Sequence, residues 1–245
     1  MKELIIKTED NIKIAVNHFP NNFDEVLVIC PGWFMTKDSK AFMNMALEFS
    51  NYMDVFVMDF RGHGKSSGLY TFMSKETLDL KAVVKFARDK YKKVYLLGFS
   101  LGGGLVIIHS AVEQNVDKVI AVSAPADFYK IENHMWHPDA WIPTLFKKFE
   151  PKRWISIRPE LFLRKKLKPL ELAGKITCPV LFAAGEKDPT VFAWHTKSLF
   201  DNAVCDKKFQ LFEGGRHAED LFIDDKEKFM TVCLDWLNKK VCANV

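Results

Sequence analysis

The segment "YLLGFSLGGG", which runs from Tyr95 to Gly104, decides the fold. It places the pattern G-x-S-x-G, Gly98 to Gly102, directly after an apolar run and directly before a helical period. A serine on a sharp strand-to-helix turn needs small neighbours, and the first turn of the helix offers free N–H groups to a developing oxyanion. The segment therefore predicts Ser100 as a nucleophile, although the same pattern also arises by chance in plain glycine-rich turns.

A serine nucleophile needs a base, and His217 has the position that a base requires. It lies in "FEGGRHAEDL", just after the apolar run Phe209–Phe212 and just before a helical period. Two glycines allow the chain to turn sharply there, so the side chain would project over the edge of a sheet. The other histidines with a clear setting are isolated inside predicted strands or helices, which favours structural roles for His18, His109 and His195.

The imidazole needs a carboxylate that fixes its tautomer. The segment "VLFAAGEKDPTV" offers Asp188 a few residues past a buried strand. Glu186, two residues earlier, and Asp127, which follows another strand, are competing acids. We favour Asp188 because its short loop can face His217. Three such residues, each past the end of a predicted strand, are stronger evidence for catalysis than Ser100 alone.

An oxyanion hole needs a second N–H, which the loop "CPGWFMTKD" after a buried run can supply. Gly32 allows the chain to turn, and the backbone N–H of Trp33 can then act together with that of Leu101. Phe34, the next residue, is a candidate for the wall of the substrate pocket. A plain Pro-Gly turn is the alternative interpretation of this loop.

Together these residues resemble the α/β-hydrolase family, of the serine esterase, acylglycerol lipase or thioesterase kind, over nearly the whole chain. The segment "DFRGHGKSSG", Asp59–Gly68, is similar to the family's D-x-R-G-x-G-x-S loop, which braces the floor of the active site. The order Ser100, Asp188, His217 is the family's order of nucleophile, acid and histidine. The resemblance implies that these three form a catalytic triad and that no cofactor is needed.

Two positions depart from the family's pattern. Pro31 precedes Gly32, where the family often has histidine; because the oxyanion hole uses backbone groups, this changes the shape of the loop rather than removing the hole. Arg216 stands beside His217, where many relatives have a small residue. A neighbouring cation disfavours the imidazolium unless it points to solvent.

Short β-branched runs alternate with helical periods, which predicts a largely parallel sheet covered by helices on both faces. The first two strands alternate apolar and polar residues and predict an antiparallel start connected by "PNNFDE", while Ser74 is a candidate helix cap. The expected fold class is therefore α/β, an α/β-hydrolase fold with a mostly parallel eight-stranded sheet. We predict strands over residues 4–7, 12–19, 26–30, 55–59, 94–99, 119–123, 180–185 and 209–212, and helices over 41–53, 74–91, 101–114, 191–202 and 218–240.

One segment breaks the alternation, because residues 127–175 separate two strands by about 50 residues, far beyond the usual loop of roughly 4–6. We assign it as a short helical cap inserted after the sixth strand, with residues 1–126 and 176–245 as the core. Its apolar face is expected to line an acyl or aryl pocket, and its basic face is able to contact an anionic membrane surface. A solvated cap that only packs on the core is the alternative. The candidate pocket residues in the cap are Trp136, Trp141, Phe146 and Trp154.

Composition excludes several classes of protein. A formal charge of +4 over 245 residues does not by itself imply a nucleic-acid partner. Five cysteines without a close pair suggest neither a disulfide framework nor a zinc site. The segment "HMWHPD" fits a metal site or an H-x-x-x-x-D acyltransferase pattern, but a pattern with only two fixed positions often occurs by chance. No apolar run approaches the length of a signal-peptide core or a membrane span, so we expect a cytoplasmic protein. We also expect no metal and no cofactor, because a serine triad needs neither.

The expected function is hydrolysis of a carboxylic ester, of acyl or aryl type and with acylglycerols among the candidates, through an acyl-serine intermediate. The expected partner is a small-molecule or lipid ester and not a nucleic acid, and the oligomeric state is left open. The same triad also serves thioesterases, carbon–carbon hydrolases and perhydrolases. A non-catalytic ligand-binding protein on the same fold is an alternative of another class.

Overall fold

The computed structural model describes residues 1–128, 130–131, 155–160 and 166–238, which contain an eight-stranded sheet. The sheet order is β1-β2-β4-β3-β5-β6-β7-β8. β1 pairs with β2 and β2 pairs with β4 in antiparallel fashion, whereas the remaining neighbours are parallel. The predicted fold class is confirmed. The strands are β1 Lys2–Lys7, β2 Lys13–Phe19, β3 Glu25–Cys30, β4 Asp54–Met58, β5 Lys93–Phe99, β6 Lys118–Val122, β7 Val180–Gly185 and β8 Lys207–Phe212.

Helices cover both faces of the sheet because successive residues of a buried strand point to opposite sides. Val28 of β3 belongs to one apolar cluster with residues of α2, α3 and α5, and Leu27 belongs to a second cluster with residues of α1 and α7. Burying one such side chain stabilises the fold by about 1.5–3 kcal/mol. No helix of the described residues has the length and apolar character needed to cross a bilayer. The helices are α1 Lys40–Phe49, α2 Glu76–Arg88, α3 Leu101–Val112, α4 Pro169–Leu172, α5 Ala193–Asn202, α6 Asp220–Asp224 and α7 Lys226–Trp236.

The predicted connector of the first hairpin is wrong. Residues 8–12 join β1 to β2, and this turn is closed by the hydrogen bond from Ile12 N to Thr8 Oγ1 at 2.9 Å, with Asn11 in the left-handed region at φ 66°. "PNNFDE" leads instead from β2 to β3, which are not neighbours because β4 lies between them. A two-strand pattern in the sequence does not show which loop closes the pair.

Several helix boundaries also differ from the prediction, among them the end of α1 at Phe49 rather than at residue 53, and two of them have clear local causes. Helix α2 begins at Glu76 rather than at Ser74, since Thr71 provides the local hydrogen bonds: its hydroxyl accepts from Lys75 N at 2.8 Å and donates to the Glu76 carboxylate at 2.8 Å. The predicted helix over 218–240 is broken at Asp225, whose non-helical backbone (φ −145°, ψ 78°) ends α6 and whose carboxylate caps α7. Residues 239 and 240 lie outside the described residues.

The loop Asp59–Gly68 follows β4 and is fixed by buried polar contacts. The hydroxyl of Ser66 donates to the carbonyl of Asp59 at 2.7 Å and accepts from Ala15 N at 2.8 Å, which ties the loop to β2. The buried guanidinium of Arg61 donates to Asp79 of α2 at 2.7 and 2.8 Å. These hydrogen bonds hold the loop against β2 and α2, as expected of a loop that braces the floor of the active site.

A segment from the predicted cap is fastened to this same loop. Arg158 N donates to Gly62 O at 2.8 Å, and Tyr70 N donates to Arg158 O at 2.8 Å. The Arg158 guanidinium donates to backbone carbonyls, among them that of Ser66. Residues 155–160 are therefore anchored to the core by both backbone and side chain. The domain division at 127 and 175 stays a prediction, because most of that stretch lies outside the described residues.

Candidate active site

Ser100 lies on a tight turn between β5 and α3. Its backbone has φ 50° and ψ −115°, an unfavourable conformation for a residue with a side chain, and its N–H donates to Val122 O at 2.8 Å. The flanking glycines are required by close contacts. A Cβ at Gly98 would lie 2.4 Å from Gly102 O, and a Cβ at Gly102 would lie 2.2 Å from Cys30 O. The sequence thus produces a strained elbow at Ser100, where strain of this kind is often functional.

Asp188 and His217 form a close pair near the ends of β7 and β8. The distances from His217 Nδ1 to the two carboxylate oxygens of Asp188 are 2.7 and 2.9 Å. The N–H groups of Thr190 and Val191 each donate to Asp188 Oδ1 at 2.9 Å. Burial acts to raise the pKa of Asp188, but the nearby His217 and these hydrogen bonds together hold it below the ordinary value of 3.8. An ionised Asp188 places the proton of the neutral imidazole on Nδ1 and leaves Nε2 as an acceptor.

The competing acids have other partners. The Glu186 carboxylate accepts from Gly214 N at 2.8 Å, and Asp127 forms an ion pair with Lys168 at 3.3 Å. Lys187 N donates to Gly215 O at 2.8 Å, so the loops that carry the acid and the histidine are joined through their backbones. The structure therefore brings Asp188, the acid that we favoured, to His217.

The positive charge of Arg216 is paired with a carboxylate, so it does not disfavour an imidazolium at His217. Its guanidinium donates to the Asp224 carboxylate at 2.6 and 2.8 Å. This hydrogen bonding raises the pKa of Arg216, and Asp224 offsets its positive charge locally. The sequence left open whether Arg216 disfavours the imidazolium, and the structure pairs it with an acidic residue eight positions further along, at the end of α6.

Ser123, which the sequence reasoning missed, joins the loops of the site. It follows β6, is fully buried and has φ 48°. Its hydroxyl accepts from Ala218 N at 3.1 Å, next to His217, and its own N–H donates to Ala183 O of β7 at 2.8 Å. The one available signal was a serine at the carboxyl end of a buried strand, in "VIAVSAP".

The predicted oxyanion loop passes beside Ser100. A Cβ at Gly32 would lie 3.2 Å from Ser100 Cβ, so the backbone that leads into Trp33 is in contact with the elbow. Leu101 is the first residue of α3, where its N–H has no partner within the helix. Phe34 has φ 66°, and its ring meets that of Trp33 edge-on with the centroids 4.9 Å apart. The roles of Trp33, Leu101 and Phe34 stay predictions.

The four candidate pocket residues of the cap lie outside the described residues: Trp136, Trp141, Phe146 and Trp154. The "HMWHPD" segment lies there too. Among the residues that the structure describes, no group of three or more His, Cys, Asp or Glu side chains is arranged to hold a metal ion. Near the predicted oxyanion loop, the ring of Phe72 lies 6.3 Å from that of Trp33.

Comparison with known proteins gives consistent results. A profile of the alpha/beta hydrolase fold matches residues 25–152. The uncharacterized protein YqkD of Bacillus subtilis is 25% identical over 215 residues, which cover 81% of this chain and 67% of YqkD. Caffeoylshikimate esterase of Arabidopsis thaliana is 25% identical over 249 residues, which cover 83% of this chain and 74% of that enzyme.

Solved structures agree on the fold. The esterase Pf2001 of Pyrococcus furiosus superimposes with a TM-score of 0.79 at 23% identity, covering 97% of this chain and 89% of Pf2001. The esterase RhEst1 of Rhodococcus sp. ECU1013 also gives a TM-score of 0.79, at 18% identity, with 97% and 99% of the two chains covered. Likeness at this level of identity establishes the architecture, and the chemistry has to be argued from the site.

Proposed function

The chain belongs to the alpha/beta hydrolase fold family, and on that premise we propose that it is a serine hydrolase that cleaves a carboxylic ester through an acyl-serine intermediate. The observation that carries the proposal is the hydrogen bond between His217 Nδ1 and Asp188, 2.7 Å long, on loops adjoining a strained serine elbow. A bystander serine in a glycine-rich turn would need neither the strain nor the pair.

The residues divide the reaction between them. Ser100 Oγ attacks the ester carbonyl while His217 Nε2 takes its proton, and Asp188 stabilises the imidazolium that results. The backbone N–H groups of Trp33 and Leu101 hold the oxyanion. His217 then gives the proton to the leaving alcohol, and the acyl group stays on Ser100.

A water molecule completes the cycle. His217 removes a proton from the water, which attacks the acyl-serine ester; the carboxylic acid leaves, and Ser100 Oγ takes the proton back. Each step is an acyl transfer balanced by one proton on His217. Loss of one oxyanion donor in such a site typically costs about 10²–10³ in rate.

An acyl or aryl group is the proposed substrate class. Trp33 and Phe34 directly follow Gly32, whose backbone contacts the elbow, and the ring of Phe72 lies near that of Trp33. Apolar walls with a few polar groups are typical of small-molecule sites. The names of the relatives, a caffeoylshikimate esterase and other esterases, support an ester of this kind. The aromatic residues of the cap would complete the pocket.

The test is a panel of chromogenic esters and thioesters of graded chain length, run with the wild type and with Ser100→Ala. We expect a burst of the leaving group in the wild type and loss of turnover in the variant. Full activity of Ser100→Ala would contradict the mechanism. Binding of an ester without turnover, together with no labelling by a fluorophosphonate, would favour the non-catalytic alternative.

A further inference from the structure

The carboxyl end of β6 contacts the surroundings of all three proposed catalytic residues. Val122 O accepts from the N–H of Ser100 at 2.8 Å. The next residue, Ser123, donates its N–H to Ala183 O of β7, the strand that leads to Asp188, at 2.8 Å. Its hydroxyl accepts from Ala218 N at 3.1 Å, directly after His217. Two consecutive residues thus link the nucleophile, the strand of the acid and the loop of the histidine.

The backbone here is strained at both ends of the side-chain hydrogen bond. Ser123 has φ 48° and Ala218 has φ 52°, although neither is glycine. Residues in this region cost roughly 1–3 kcal/mol and persist only where the surroundings hold them. Both residues are fully buried, so no solvent replaces the bond if it is lost.

The bond is a side-chain link between two loops that are 95 residues apart in sequence. The loop of His217 is also joined to the acid loop, through the hydrogen bond from Lys187 N to Gly215 O at 2.8 Å. The Ser123 hydroxyl connects the histidine loop directly to β6, and therefore to the strand end that holds Ser100.

We propose that Ser123 is a positioning residue that sets the distance between His217 and Ser100; this rests on the proposed serine hydrolase function. The Ser123 hydroxyl does not touch the substrate. It fixes the position of Ala218 N. The imidazole of His217, already oriented by Asp188, therefore stays at a constant distance from Ser100. A misplacement of about 1 Å in such an arrangement costs on the order of 10² in rate.

Three variants test the role. Ser123→Ala removes the hydroxyl but keeps a Cβ, so the backbone strain at φ 48° is unchanged. Ser123→Gly removes the hydroxyl and also relieves that strain. Ser110→Ala is the control, because Ser110 is also fully buried and its hydroxyl also bonds the backbone, donating to Val106 O at 2.7 Å within α3. For each protein we would measure kcat, KM, thermal stability and the rate of labelling by a fluorophosphonate.

We expect kcat and the labelling rate of both Ser123 variants to fall by about 10- to 100-fold at nearly unchanged KM. Ser110→Ala should lose stability without this loss of kcat. Wild-type kcat per folded molecule in both Ser123 variants would overturn the proposal, as would recovery of kcat in Ser123→Gly alone, which would assign the effect to strain. A wild type that neither hydrolyses esters nor becomes labelled would instead refute the hydrolase function, and the role of Ser123 with it.

Discussion

Ser100 lies on a turn that is closely approached by three glycines. Gly98 and Gly102 allow β5 and α3 to meet, and Gly32 lets the oxyanion loop approach within contact of Ser100 Cβ. The strain at φ 50° is held by the hydrogen bond to Val122 O and by the helix that follows. The proposed chemistry therefore depends on the absence of a Cβ at these glycines as much as on the reactive side chains.

Gly32→Ala should lower kcat by about 10-fold with little loss of stability. The new Cβ would lie 3.2 Å from both Ser100 Cβ and Phe99 O, so it would press on the nucleophile and shift the oxyanion N–H groups. Gly174→Ala is a matched control, since its Cβ would lie 3.3 Å from Asn202 O in the 3₁₀ turn Ala173–Lys175, away from the elbow. Steady-state kinetics and thermal melts of the two variants make the comparison; equal kcat values would contradict the placement of this loop.

Asp188→Asn should lower kcat by about 10⁴-fold, because an amide in place of the carboxylate supports the wrong tautomer of His217. Glu186→Gln, the neighbouring acid, keeps an oxygen acceptor for Gly214 N and should retain most of the activity. Hydrolysis of a chromogenic ester at neutral pH distinguishes the two. Comparable losses in both variants would reopen the assignment of the acid.

The sequence allowed Ser100, Asp188 and His217 to be predicted because each follows a recognisable apolar strand. Ser123 escaped, since its partner Ala218 is 95 residues away and a local pattern contains no information about such a pairing. For the same reason the choice between Asp188 and Glu186 could be argued only from loop length. The structure adds the distances that the pattern lacks.

Among the elements, the strands were predicted well and their connections less well. Buried parallel strands are nearly continuous apolar runs, and β7 was bounded to the residue, at Val180–Gly185. The start of α2 and the break at Asp225 depend on individual side-chain hydrogen bonds, which a hydropathy pattern does not show. The pairing of β2 with β4 depends on the whole sheet.

Arg158→Ala should raise KM more than it changes kcat. The guanidinium fastens residues 155–160 to the loop Asp59–Gly68, so its loss loosens the attachment of the proposed cap, at a cost of about 1.5–3 kcal/mol. Arg88→Ala is the control, because Arg88 also donates to a backbone carbonyl, that of Asn115, and pairs with Asp117 away from the site. Urea unfolding and steady-state kinetics are the measurements; equal KM changes in both variants would count against the role of this segment in binding.

Across the whole molecule, two apolar clusters hold the sheet between helices, and a polar network joins the first hairpin to the core. Arg61 is buried and bonds both Asp10, in the turn between β1 and β2, and Asp79 in α2. Hydropathy patterns predicted the apolar layers. They could not predict the network, because charged residues in a sequence are more often solvated than buried.

Acidification should remove the contribution of Asp10. Hydrogen bonds from Arg61 lower the pKa of Asp10 from 3.8 to about 2 in the folded protein. A depressed folded pKa means that the pair stabilises the fold above pH 4 and that this stability is lost as the pH falls from about 4 to about 2. Asp10→Asn should therefore cost about 1–2 kcal/mol at pH 7, a value reduced by solvent screening, and only a small part of that near pH 2.

Urea unfolding of the wild type and of Asp10→Asn between pH 2 and 7 measures this difference. Asp24→Asn is the control, since the pair of Asp24 with Lys92 is exposed and should contribute little at any pH. A constant gap between the wild type and Asp10→Asn across this pH range would show that the ion pair with Arg61 is not its cause.

The central claim, that Ser100 is a nucleophile activated by His217, is tested most directly by covalent labelling. The wild type is treated with a fluorophosphonate, and the adduct is located by intact mass and peptide mapping. We predict one adduct per chain, on Ser100, which is absent in Ser100→Ala and forms far more slowly in His217→Ala. An adduct on another residue, or equal labelling rates in the wild type and His217→Ala, would contradict the account.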